Sequence, residues 1–123
     1  MQQLDLLDAL LTIPRLGPAA VSRDAEWVAW TWFGAGEAAE VYAAPTNGSR
    51  PPIQLTDSPE ETFIVSWSPD SRSVIVGQDR GGDERVQLFR VTLDHPGAME
   101  PLTEPDPPYF LHDGYVTPDG RYL

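Results

Sequence analysis

Cysteine is absent from the 123 residues, which excludes disulfide bridges, thiolate nucleophiles and cysteine-ligated metals. Positive charge is scarce. Eight basic residues stand against 19 acidic ones, a formal charge of −11. A nucleic-acid surface needs clustered Lys and Arg, and anionic membranes recruit basic stretches, so neither is an expected partner. The simple role of the excess charge is solubility. No apolar run approaches the roughly 20 residues that cross a bilayer. Residues 1–11 are apolar but carry Asp5 and Asp8 with no basic flank, which argues against a signal peptide. A cytoplasmic location is the expectation.

The chain is 41% hydrophobic, enough for a packed core. Its organising stretch is residues 63–77, two β-branched and aromatic runs on either side of Ser68-Pro-Asp-Ser71, followed after a Gly-rich loop by a third run at 85–93. Pro69 fixes one turn dihedral, and Asp70 and Ser71 can hydrogen-bond the local backbone, so a strand–turn–strand is predicted. The same punctuation precedes it at Ser22-Arg-Asp-Ala25 and follows it at Thr117-Pro-Asp-Gly120. Asp24, Asp70 and Asp119 mark the register of three copies.

The flanking strands repeat as well. Residues 27–33 are nearly all apolar or aromatic, fitting a strand covered on both faces. The run 40–44 is the next strand, Asn47-Gly48 is a hairpin signal, and 53–56 ends the unit. Val41-Tyr42 matches Leu88-Phe89 and Leu55-Thr56 matches Leu102-Thr103, each 47 positions apart, while Asp24 and Asp70 are 46 apart. Four strand-like runs in a period of this length predict a β-propeller blade. The expected fold is therefore all-β: an incomplete propeller of about two four-stranded antiparallel blades and the start of a third. Its divisions are 1–16 (short helix and linker), 17–57 (first blade), 58–104 (second blade) and 105–123 (third blade, cut within its second strand). Leu4, Leu7, Leu10 and Leu11 share one helical face, which serves either to pack on the body of the chain or to dock on a domain outside it.

The Ser-Pro-Asp-Ser-Arg-Ser-Val-Ile-Val run at 68–76 with its closing Leu-Thr resembles the propeller repeat shared by the periplasmic TolB protein and prolyl-oligopeptidase-type peptidases. The stretch 78–91 looks like blades of prolyl-oligopeptidase-family serine peptidases, including the acylaminoacyl-peptidase branch. That resemblance implies a propeller that restricts access to an α/β-hydrolase domain with a Ser-Asp-His triad, here lying outside the chain. It further implies that residues 4–11 pack on that domain, and that peptides are the substrate of the parent. A non-enzymatic, TolB-like interaction scaffold is the alternative, and a chain that assembles a ring from several copies is a third reading. No catalytic position of the family falls on these residues, so the expected catalytic, cofactor and metal sites are none. Self-association is expected through exposed blade edges and through the tryptophan-rich outer face of the first blade.

Other chemistry fails residue by residue. Ser66 and Ser68 lack the Gly-x-Ser-x-Gly elbow of a hydrolase nucleophile. His95 and His112 are isolated, and His112-Asp113 are neighbours that an extended chain turns to opposite faces. Gly34, Gly36 and Ala39 mimic a dinucleotide fingerprint but lack a following helix before Pro45. Asp79, Asp83 and Glu84 lack the alternation of a calcium loop. Asn47-Gly-Ser49 matches a glycosylation acceptor, and Glu60-Glu61 is a carboxylate pair; both read as loop features. Trp27, Trp30, Trp32 and Trp67 are assigned to the core between blades.

Overall fold

The computed structural model describes residues 15–34, 38–105 and 117–121. They form an all-β domain of two four-stranded antiparallel sheets. The first holds β1 (Arg15–Val21), β2 (Trp27–Phe33), β3 (Glu40–Pro45) and β4 (Ile53–Gln54) in chain order. The second holds β5 (Thr62–Trp67), β6 (Ser73–Gln78), β7 (Gln87–Thr92) and β8 (Glu100–Pro101), again in chain order. β1 takes up Arg15 and Leu16 and passes Gly17 and Pro18 through a bulge between Leu16 and Ala19. The leucines at 4–11 and the strand expected around 109–116 lie outside the described residues.

Each sheet opens with the same turn. Ser22 Oγ donates to Asp24 Oδ1 at 2.6 Å and accepts the Trp27 N–H at 3.0 Å. Ser68 Oγ repeats both bonds with Asp70 (2.5 Å) and Ser73 (3.0 Å). In both copies the aspartate also accepts a backbone N–H two residues on, from Glu26 and from Arg72. The carboxylate thus saturates donors that a tight turn would leave unpaired, which is why this residue type recurs. The third copy has the same Thr117–Asp119 hydroxyl–carboxylate bond, and its loop closes from Thr117 N–H to Arg121 C=O at 2.8 Å.

The residue after each aspartate is left-handed: Ala25 (φ 61°), Ser71 (φ 60°) and Gly120 (φ 84°). Only the third copy carries the residue that adopts this conformation freely, since a Cβ there costs roughly 1–2 kcal/mol. Ala25→Gly should therefore stabilise the chain by about 0.5–1 kcal/mol, net of the extra unfolded-state freedom of glycine. A urea titration showing no gain would mean that the turn relaxes its φ in solution.

The sheets stack face to face. β5 lies on the face of the first sheet that carries Ala29, Thr31, Val41 and Ala43, all 0% exposed. Ile64, Trp67, Val74, Val76 and Val91 close the core from the other side, with Leu55 in the same cluster. Because Ala29 and Ala43 are small, the second sheet can come close enough for direct polar links. The Ile64 N–H reaches Thr31 Oγ1 at 3.0 Å, the Thr62 N–H reaches Ala39 C=O at 2.8 Å, and Trp67 Nε1 donates to Ala20 C=O at 2.8 Å. Gly77 makes the opposite accommodation, its flat backbone receiving the ring of Phe63 where a Cβ would sit 2.6 Å from a ring carbon.

The matched Leu-Thr pairs do matched work. Leu55 N–H bonds Val41 C=O and Leu102 N–H bonds Leu88 C=O, both at 2.8 Å. Thr56 Oγ1 accepts the Val41 N–H and Thr103 Oγ1 accepts the Leu88 N–H, both at 2.9 Å. A threonine side chain therefore continues the ladder where the fourth strand stops after two residues.

Candidate functional site

One group of polar side chains stands at the end of the domain that carries the Ser-x-Asp turns. There the two turns meet: the Asp24 N–H donates to Ser71 Oγ at 3.0 Å, joining the equivalent loops of successive sheets. Beside this junction a cleft of about 400 Å³ is lined by Asp24, Trp27, Arg50, Asp70, Arg72 and Asp94, among others. The Arg50 guanidinium stands 5.1 Å from the centre of the Trp27 ring, a cation–π distance. The cleft mixes both signs of charge and opens to solvent, a setting for polar contact rather than for chemistry that requires water to be excluded.

The turn carboxylates are held below their ordinary range. For Asp24 the leading cause is the Ser22 hydroxyl, followed by the Glu26 N–H; for Asp70 it is the Ser68 hydroxyl and then the Arg72 N–H, with a loss of solvation opposing in both. Asp119 shows the same direction, led by the Thr117 hydroxyl. A depressed folded-state pKa adds stability that is present above the unfolded value of about 3.9 and is lost as pH falls through the folded value. The urea midpoint should thus hold from neutral pH to about pH 5 and drop below about pH 4. Asp70→Asn should flatten part of that acid limb; an unchanged limb would show that the turn carboxylates are not its source.

The sequence-derived candidates are scattered. Ser68 Oγ is committed to Asp70 and the Ser73 N–H. Ser66 sits at the β5 bulge, its hydroxyl buried with no partner among the described residues. His95 is exposed in the turn after β7, and His112 and Asp113 lie outside the described residues. Gly34 leads toward β3, which runs antiparallel to β2, so the glycine pattern belongs to a hairpin and not to a βαβ crossover. Asp79 and Asp83 turn their oxygens onto their own loop, accepting the N–H groups of Glu84 (3.3 Å) and of Arg80 (3.3 Å) and Arg85 (2.9 Å). Glu60 accepts the Gly81 N–H at 2.8 Å and so anchors the same loop, while Glu61 is exposed. Asn47 Oδ1 accepts the Ser49 N–H inside the β3–β4 turn. Among the described residues no three His, Asp or Glu side chains are grouped to hold a metal ion.

The tryptophans divide. Trp67 is in the core between the sheets and Trp27 packs against it. Trp30 and Trp32 point the other way, as alternation along β2 requires once Ala29 and Thr31 face the second sheet. They lie with Tyr42 on the outer face of the first sheet, the ring centres 6.3 Å and 5.0 Å from it. Burial holds the Tyr42 phenol above its usual range, with Glu40 and Asp57 adding to it. The indole N–H groups of Trp30 and Trp32 are buried and find no acceptor among the described residues.

Three residues that bind the domain together have no local sequence signal. Thr31 and Ser71 act across sheets, on partners 33 and 47 positions away. Glu40 is 5% exposed, receiving the Thr56 hydroxyl and, at 2.8 Å, the Ser58 N–H. Its matched residue is Gln87, whose amide donates to Thr103 C=O at 3.0 Å. That correspondence was available in the 47-residue offset.

No family model matches the chain, and a search of curated proteins finds no relative.

Proposed function

We propose that the chain is the N-terminal part of a β-propeller belonging to a prolyl-oligopeptidase-like serine peptidase, where it gates access of peptides to a hydrolase domain outside these residues. One observation supports the propeller part of the reading, and the peptidase part rests on the resemblance of residues 68–76 and 78–91. Two sheets with the same strand order, the same turn and the same Leu-Thr closure are stacked so that the first strand of one lies on the face of the other. Successive sheets related in that way are the building plan of a propeller, and the third Ser/Thr-x-Asp turn at Thr117 supplies the start of a further unit. In this reading residues 4–11 form the helix that docks on the hydrolase domain, the protein is cytoplasmic, and the chain contributes substrate selection but no bond cleavage.

The purified chain should leave chromogenic peptide and acyl-amino-acid substrates intact and should not react with a fluorophosphonate serine probe. Stoichiometric labelling of any serine would overturn the assignment of catalysis to another domain. The reading frame that adjoins this sequence decides the rest. A Gly-x-Ser-x-Gly elbow followed by Asp and His supports the peptidase, whereas further Ser-Pro-Asp units and a stop would mark a TolB-like scaffold without enzymatic activity.

A further inference from the structure

We infer that Asn47, the one asparagine of the chain, is a modification site: it deamidates spontaneously, the main-chain nitrogen of Gly48 closing a ring on the side-chain amide and water opening it. The Asn-Gly pair that signals the hairpin between β3 and β4 thus carries chemistry of its own.

The attacking atom is the Gly48 nitrogen and the attacked atom is Asn47 Cγ. A bond forms between them, and Nδ2 leaves as ammonia, taking the Gly48 proton with it. Water then breaks one of the two C–N bonds of the cyclic imide, adding OH to the carbonyl carbon and H to the nitrogen. Breakage at Cγ leaves an aspartate at position 47. Breakage at the main-chain carbonyl leaves an isoaspartate, whose backbone runs through Cβ and Cγ. No oxidant, metal or enzyme is needed.

Exposure, an unshielded nitrogen and a poised carbonyl favour the closure. Residues 46–50 are all exposed, so water and base reach both atoms. Gly48 is left-handed (φ 69°), and the space where a Cβ would stand meets nothing within 4 Å. Asn47 Oδ1 accepts the Ser49 N–H at 2.9 Å. That bond folds the side chain back along the peptide that follows it, which keeps Cγ beside the Gly48 nitrogen. It also draws electron density from the carbonyl that is to be attacked. One bond opposes the reaction. The Gly48 N–H donates to Pro45 C=O at 3.1 Å, and the nitrogen cannot attack until that bond opens. A single exposed hydrogen bond slows the step by only about 2–12-fold.

Asp119-Gly120 shows what is particular to Asn47. Gly120 is left-handed too (φ 84°), and its N–H closes the corresponding bond to Thr117 C=O at 2.8 Å. Its neighbour, however, is a carboxylate kept ionised by the Thr117 hydroxyl and by Arg121. An ionised carboxylate resists attack by an amide nitrogen, whereas the neutral amide of Asn47 does not. The product also falls where the fold tolerates it. Thr46 is tied to the first Ser-x-Asp turn, its N–H on Glu26 C=O (2.9 Å) and its hydroxyl on Ala25 C=O (2.7 Å). β4 begins only at Ile53, so the new carboxylate and the longer backbone lie outside both sheets.

Incubation at mildly alkaline pH followed by peptide mapping with mass spectrometry tests the inference. The peptide that holds Asn47 should gain the mass difference between OH and NH2, at a rate proportional to hydroxide. The folded chain should convert about 2–12-fold more slowly than chain held in guanidinium chloride above its unfolding midpoint. Asn47→Gln should leave that peptide unchanged over the same period, because the larger ring closes far more slowly. Gly48→Ala should slow conversion roughly tenfold in denaturant, where its Cβ shields the nitrogen and the strain of a left-handed turn plays no part. A folded chain that stays unmodified while the denatured chain converts would overturn the inference, the turn then opening only with the whole domain. Conversion that survives Asn47→Gln would place the reaction at another residue, and an alanine variant as fast as the parent would show that Gly48 is not the attacking group.

Discussion

Replacing Trp67 with alanine should cost about 3–5 kcal/mol, the range for removing a large buried aromatic. Few small domains survive such a loss comfortably, because their whole stability is about 5–15 kcal/mol. Trp67 is 8% exposed, lies in the core between the sheets, and its indole N–H is bonded to Ala20 C=O. It therefore couples the first strand of the second sheet to the first strand of the first. Trp67→Phe keeps most of the ring and abandons the bond, and should cost roughly 1–2 kcal/mol. Urea unfolding followed by far-ultraviolet circular dichroism measures both. If the alanine variant lost less than about 1 kcal/mol, the face-to-face packing of the two sheets would be wrong.

Leu55→Ala is the second large effect, expected at about 2–5 kcal/mol. The side chain is 0% exposed, and the backbone is held twice: the N–H on Val41 C=O and the C=O by the Gly97 N–H of the second unit, each at 2.8 Å. The surroundings cannot collapse into the vacated space without breaking those bonds, so a cavity persists. Leu102 holds the matched position but is only half-buried, and Leu102→Ala should cost about half as much. Equal losses at the two positions would show that the core is not centred between the sheets.

Much of this architecture was legible in the sequence because it is written locally. Ser22-x-Asp24 and Ser68-x-Asp70 announce their turns, and the β-branched and aromatic runs at 27–33 and 73–78 announce strands. The 47-residue offset announces that Thr56 and Thr103 do the same work. The division of the tryptophans was not legible. Strand 27–33 has apolar residues at both parities, so periodicity cannot say which side meets the second sheet. The answer is set by Ala29 and Ala43, whose smallness admits β5. Thr31, Ser71 and Glu40 escaped for a different reason: each is an ordinary polar residue until a partner far along the chain arrives. The cleft at the turn end is likewise a product of several loops brought together from both sheets, and no one loop encodes it alone.

The two units differ by one residue in the spacing of their matched positions, and the addition falls between the second and third strands, in the 34–39 and 80–86 loops. Inside a strand the same addition would turn every following side chain to the wrong face. The two ends of the domain thus answer to different rules. At the turn end, hydroxyl, carboxylate and backbone are interlocked within and between units, and a change of length would break the stacking. At the opposite end the loops differ in length by one residue while the buried faces stay aligned, Ala39 and Glu40 holding the backbone of Thr62 and Ser58 beside them. Units stacked in this way keep the turn end in register and take up a difference in length at the other.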